Sequence, residues 1–168
     1  MTEEKTRILT ADKVNQMINR LAHQINENCH HEDEVYLVGI AKRGYILAER
    51  IHEILAKVAE NKTHLLRLRI HKDDPLNNPA ELQGEIKTLE GKTVVIIDDV
   101  LNSGKTLMYG INHILGSSCK SIYTAVLVDR QHRRFPVKAD FVGLTLATTL
   151  KEHVEVRFED DKIEAYLD

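Results

Sequence analysis

Val94-Val95-Ile96-Ile97-Asp98-Asp99-Val100-Leu101-Asn102-Ser103-Gly104-Lys105-Thr106 carries a continuous apolar run into two adjacent carboxylates, a small polar loop and the start of a helical pattern. Val94 to Ile97 reads as a short strand buried on both faces. Leu107, Met108, Ile111, Ile114 and Leu115 then recur at helical spacing after Gly104. Backbone N–H groups from Asn102 to Thr106 would point out of a helix N-terminus, and with the Ser103 and Thr106 hydroxyls they favour a phosphate. Ionised Asp98 and Asp99 are acceptor-only groups, suited to vicinal sugar hydroxyls or to a magnesium ion held directly or through water. A phosphate beside a diol describes a ribose phosphate.

The elements on either side repeat the strand-then-helix order. Upstream, Val14, Met17, Ile18, Leu21, Ala22 and Ile25 mark an amphipathic helix after a Thr10 cap. Val35 to Ile40 is an apolar strand ending in a Lys42-Arg43-Gly44 turn, and Leu47, Ile51, Ile54, Leu55 and Val58 resume helical spacing. Leu66, Leu68 and Ile70 alternate with polar residues as in a half-exposed strand. The stretch from His71 to Gly84, with two prolines and two asparagines, reads as a long loop that could cover a site. Downstream, Ile122 to Val128 is a buried strand, with further short strands at Phe141 to Leu144, Val154 to Phe158 and Ile163 to Tyr166. The expected fold is α/β, a mainly parallel central sheet with helices on both faces and ligands at the carboxyl ends of its strands.

The chain of 168 residues suits a single domain, 1–168, with one sizeable core. No apolar run approaches the ~20 residues that cross a bilayer, and no apolar signal follows the polar start, so no membrane partner and a cytoplasmic location are expected. Cys29 and Cys119 are far apart and read as reduced structural residues rather than a metal knuckle or redox pair. A net charge of −3 provides no global field for nucleic acid. No two of the nine histidines stand four apart, as a helix-borne His-x-x-x-His metal site needs, and they read as surface groups.

The central segment has two other readings. Gly104-Lys105-Thr106 could end a nucleotide-binding P-loop, but that motif needs another glycine where Asp99 stands, and a carboxylate there repels phosphate. A plain N-capped helix accounts for Ser103 but not for the two acids behind an apolar strand.

The segment resembles the 5-phosphoribosyl 1-pyrophosphate (PRPP) signature of type I phosphoribosyltransferases. The resemblance implies that fold with a small flexible hood. It implies PRPP binding by Ala41, Lys42, Arg43, Gly44 and by Asp98, Asp99, Val100, Leu101, Asn102, Ser103, Gly104, Lys105 and Thr106. Asp98 and Asp99 would hold the ribose hydroxyls and bound Mg2+, and Asn102 to Thr106 the 5-phosphate. The loop at Lys42-Arg43 would hold the pyrophosphate, and Asp98, Asp99 and Arg43 would be catalytic. Lys72-Asp73-Asp74-Pro75 would belong to the flexible cover, and Asn102, Val128 and Asp129 would contact the base.

Ala125 to Pro136 and Ala139 to Gly143 narrow the likeness to the family of bifunctional pyrimidine operon attenuation proteins and uracil phosphoribosyltransferases. The implied reaction joins PRPP and a nucleobase, a pyrimidine such as uracil first, in a homodimer or higher homo-oligomer. This chain has Asn102 where that family usually has an aromatic residue, and Leu146-Ala147-Thr148 where Ile-Pro-Thr is expected. Purine enzymes of the fold commonly carry aspartate at the position of Asn102, and an amide cannot act as that base. The alternatives are a purine (hypoxanthine or guanine) phosphoribosyltransferase, or a PRPP-sensing regulator that binds RNA through Arg130, His132, Arg133, Arg134 and Lys138.

Overall fold

The computed structural model describes residues 4–71, 73–74, 76–149 and 152–168. A six-stranded sheet runs in the order β4-β3-β2-β5-β6-β7. Its strands are β2 (Glu34–Ile40), β3 (Lys62–Arg69), β4 (Glu81–Gln83), β5 (Thr93–Leu101), β6 (Ser121–Asp129) and β7 (Phe141–Thr145). All its pairings are parallel except β3 with β4. This is the mainly parallel sheet expected from the alternating pattern. A separate three-stranded antiparallel sheet, β1-β9-β8, joins β1 (Thr6–Leu9) to the β8 (Val154–Glu159) and β9 (Lys162–Leu167) hairpin.

Helices cover the large sheet on both faces. Helices α1 (Ala11–Cys29) and α2 (Ala41–Val58) bury Val14, Ile18, Leu21, Leu47, Ile51 and Leu55 against Leu37, Val95, Ile97 and Ala125. On the other face α3 (Lys105–Leu115) sets Leu107 and Ile114 on Val38, Ile96 and Val126. Strand residues alternate between two cores because their side chains point to opposite faces. Val156, Ile163 and Ala165 of the small sheet join the core under α1 and α2. Thr10 caps α1 as expected, its Oγ1 accepting from Lys13 N at 3.3 Å.

Three expectations need correction. There is no turn at Lys42-Arg43-Gly44. Ala41, at φ 54°, reverses the chain within one residue, and α2 begins there. β5 does not stop at Ile97 but pairs with β6 as far as Leu101 opposite Asp129, so both carboxylates lie within the strand. The loop read from 71 to 84 contains β4, whose residues Glu81 to Gln83 pair with Arg69 to Arg67. The histidines keep to the surface as expected, none of the nine being buried; the His64 ring stacks on Tyr36 at 4.4 Å, and His52 Nδ1 lies 3.1 Å from Thr63 Oγ1.

Candidate active site at the carboxyl ends of β2 and β5

β2 and β5 are neighbours, with Val38 opposite Ile96 and Gly39 opposite Ile97. From β2 the chain moves outward to β3, and from β5 it moves the other way to β6. The two following helices therefore leave on opposite faces, opening a crevice at the point where strand order reverses. A cavity of about 350 Å3 occupies it, lined by Ala41, Lys42, Arg43 and the whole of Asp98 to Thr106. The two segments singled out in the sequence, separated by more than fifty positions, thus share one chamber.

Both helices present their N-termini here, and neither N-cap residue has a side chain that caps them. α2 starts after Ile40 and α3 after Gly104, and neither has an acidic residue in its first turn. The first N–H groups of a helix have no intrahelical partner, and the dipole adds partial positive charge. In α3 the Ser103 hydroxyl accepts from Lys105 N at 3.3 Å, and the first intrahelical bond runs from Met108 N to Gly104 O. α1, by contrast, is capped by Thr10 and lies away from the chamber. Two helix starts plus Lys42, Arg43 and Lys105 make the cavity anion-receptive.

Glycine permits both approaches. A Cβ on Gly44 would lie 2.6 Å from the Ile97 carbonyl oxygen and 3.3 Å from Asp98 Oδ1, so α2 rests directly on the strand that carries the carboxylates. Gly44 therefore supports the chamber rather than lining it. Gly104 sits at φ 87°, where a side chain is strained, and a Cβ there would meet Val137 Cγ1 at 2.4 Å.

Asp98 and Asp99 both line the cavity although neighbours in a strand should face apart. The alternation slips here: Ile97 and Val100, three residues apart, belong to the same core. Asp98 is buried at 8% exposure, and its Oδ1 accepts from Asp99 N at 2.9 Å. Of the residues expected to contact a base, Asn102 lines the cavity but Val128 and Asp129 do not. Val128 is wholly buried in the α1/α2 core, and Asp129 Oδ1 accepts from Gln131 N at 2.9 Å. Ile40, Leu107, Val126 and Val154 also line the chamber and were not anticipated as site residues. As apolar residues inside regular elements, they carry no sequence signal of a site.

The cations offered to RNA, from Arg130 to Lys138, are not uniformly exposed. Arg130 is buried at 6% exposure. Its guanidinium donates to Asn102 Oδ1 at 2.8 Å, Thr148 Oγ1 at 3.1 Å, Thr149 O at 3.4 Å and also to Glu152 O. His132 Nε2 meets the Thr148 carbonyl, and Arg133 Nη1 donates to Val137 O at 3.2 Å. The backbone N–H groups of Arg134 and Phe135 both donate to Ser103 O, at 2.8 and 3.1 Å. Glu152 is held below the usual carboxylate range chiefly by hydrogen bonding to the Thr149 backbone. This segment braces the loop after β5.

Lys42 and Arg43 also border a second groove against Glu155 to Glu159 of β8. Glu155 is held down to about 2, first by Lys5 and then by Arg157, which donate to it at 2.6 and 3.1 Å. Lys72 and Pro75 of the anticipated cover lie outside the described residues. The Asp74 carboxylate accepts from its own turn, from Asn77 Nδ2 at 3.0 Å, and neither Asp73 nor Asp74 lines the chamber.

Comparison with known proteins follows the same lines. A family model described as the phosphoribosyl transferase domain matches residues 4–162. The bifunctional protein PyrR of Chloroflexus aurantiacus is 39% identical over 168 residues, covering 95% of this chain and 91% of the relative. PyrR of Streptomyces coelicolor is 33% identical, covering 95% and 86%. Among solved structures, the hypoxanthine phosphoribosyltransferase of Trypanosoma cruzi superposes with a TM-score of 0.75 over 96% of this chain and 95% of the other, at 16% identity. A hypoxanthine-guanine phosphoribosyltransferase of Bacillus anthracis gives 0.71 over 86% and 83%, at 19% identity. These structures establish the fold, and the family match together with the PyrR relatives establishes that the chain belongs to the type I phosphoribosyltransferases, on the side of that family where the PyrR proteins lie.

Proposed function

We propose that this enzyme transfers the 5-phosphoribosyl group of PRPP to a nucleobase, with a pyrimidine such as uracil as its acceptor. The observation that carries this reading is a pair of helix starts, neither with an acidic first turn, at one chamber that two carboxylates also line. PRPP has the matching order of groups: a phosphate at one end, a sugar diol in the middle and a pyrophosphate at the other. The start of α3, with Ser103 and Thr106, takes the 5-phosphate. Asp98 and Asp99 accept hydrogen bonds from the ribose hydroxyls. The start of α2, with Lys42 and Arg43, takes the pyrophosphate.

In the reaction the bond from C1 to the pyrophosphate oxygen breaks and its electron pair leaves with pyrophosphate. A ring nitrogen of the base supplies the pair for the new bond to C1, and its proton is lost to solvent. Arg43 and Lys42 stabilise charge that grows on the departing oxygen, and the carboxylates fix the sugar in line. Asp98 and Asp99 fit Mg2+, which characteristically binds through one or two carboxylates together with substrate phosphates. When bound, the ion would neutralise pyrophosphate charge.

A pyrimidine is favoured because Asn102 places an amide, without a carboxylate's proton affinity, in the chamber. Incubation with PRPP, Mg2+ and each of uracil, hypoxanthine, guanine, xanthine and adenine, with pyrophosphate and nucleotide measured, tests this. We expect turnover with uracil. Turnover with a purine alone would replace the substrate, and none with any base would refute the reading. The regulatory alternative draws on the exposed Arg133, Arg134 and Lys138. It requires RNA retention that falls steeply with salt.

A further inference from the structure

Of the hydrogen bonds that the buried guanidinium of Arg130 donates, one reaches a group assigned to PRPP, the side chain of Asn102. Asn102 is where the phosphate-binding loop meets the chain running from β7 to β8. Arg130 holds that meeting point through Thr148, Thr149 and Glu152 on one side and Asn102 on the other. The backbone N–H of Arg130 also donates to Leu101 O at 3.2 Å, which fixes the guanidinium relative to the end of β5.

An asparagine amide can turn over, exchanging a donor for an acceptor, unless a neighbour dictates the choice. Arginine can only donate, from a rigid planar fork. Oδ1 of Asn102 must therefore face Arg130, and the amide –NH2 is the group left for a ligand in the chamber. Resting on the reading of the chamber as a phosphoribosyltransferase site, we infer that Arg130 is a positioning residue that makes Asn102 a hydrogen-bond donor toward the base, selecting bases that present a carbonyl oxygen or an unprotonated ring nitrogen there. A base with an exocyclic amine or a ring N–H at that point meets a donor with a donor, and one of the two groups goes unpaired. An aspartate at position 102 would pair with the same guanidinium but offer only acceptors, so the preference is specific to the Arg130–Asn102 pair.

The test is equilibrium binding of uridine 5-monophosphate against its 2-thio and 4-thio analogues, in which a strong oxygen acceptor becomes a weak sulfur one. The wild type should bind the parent nucleotide about tenfold more tightly than one of the two analogues. Arg130→Gln frees the amide to turn over, and Asn102→Asp removes the donor while keeping a partner for Arg130. Both should abolish that discrimination. Arg130→Lys should retain it, because lysine also only donates.

If Arg130→Gln fails to fold, Asn102→Asp carries the same readout. Equal affinity of the wild type for all three nucleotides, or discrimination that survives Arg130→Gln and Asn102→Asp, overturns the inference. Absence of uridine monophosphate binding overturns it together with the pyrimidine reading. Pyrophosphate release from uracil and PRPP, measured on the same wild-type sample, separates these cases: release without discrimination leaves the proposed activity standing and removes only the role of Arg130.

Discussion

Replacing Gly44 by alanine sets two effects against each other. Gly44 lies in the first turn of α2, and alanine is ordinarily better than glycine in a helix by about 1 kcal/mol. The new methyl group, however, would sit 2.6 Å from the Ile97 carbonyl oxygen where ordinary contact begins at 3.4 Å, so helix and strand must part by about 0.8 Å. The obstacle is backbone, which cannot swing aside as a flexible side chain can. Crowding of this kind costs about 1–3 kcal/mol, leaving a net destabilisation of about 0–2 kcal/mol after the helix gain.

The functional loss should be larger, because Lys42 and Arg43 move away from Asp98 and Asp99. A misplacement of about 1 Å can cost about a hundredfold in rate. We expect Gly44→Ala to unfold cooperatively in urea with a midpoint near or slightly below wild type, yet to lose about ten- to a hundredfold in kcat/KM for PRPP. Steady-state pyrophosphate release and a urea titration on one preparation check both. A variant more stable than wild type and fully active would refute the close approach of α2 to β5 as the element that sets the chamber.

Two further outcomes follow from the site and the small sheet. Asp99→Asn should weaken PRPP binding by about tenfold, the loss of one charge-assisted hydrogen bond, without moving the unfolding midpoint appreciably; unchanged binding by calorimetric titration would show that the ribose assignment is wrong. Glu155 titrates at about 2 in the fold against an ordinary 4.5, so its contribution is complete above the ordinary value and disappears as pH falls toward the lower one. Glu155→Gln should therefore flatten the acid limb of the stability profile between these values, and an unaltered limb in pH-dependent denaturation would refute the pairing with Lys5 and Arg157.

The parallel sheet was legible because Val94 to Ile97 and Ile122 to Val128 are continuous apolar runs, and strands buried on both faces read that way. The phosphate-binding loop was legible because small and polar residues stand between a buried strand and a helical pattern. Periodicity shows where apolar faces lie but not how abruptly the chain turns between them. A single left-handed residue at Ala41 therefore replaced an expected turn and put Lys42 and Arg43 on a helix start. β1 and β4 are short edge strands, whose pairing comes from partners distant in sequence or across a loop rather than from their own pattern. Arg130 read as one of several cations that could bind RNA. Its burial depends on Asn102 and the 148–152 chain converging on it, which no local spacing encodes.

The pairing of β1 with β9, Thr6 beside Leu167, joins the two ends of the described chain in one small sheet. During synthesis β2 to β7 emerge before β9, so the large sheet and both anion-receiving helix starts can assemble while the small sheet still lacks its central strand. Closing so long a loop costs only modestly more than closing a short one at equilibrium, but contacts of such high sequence separation form late. A newly made molecule would thus pass through a stage with its phosphate cradle in place and the β8 wall of its chamber still missing.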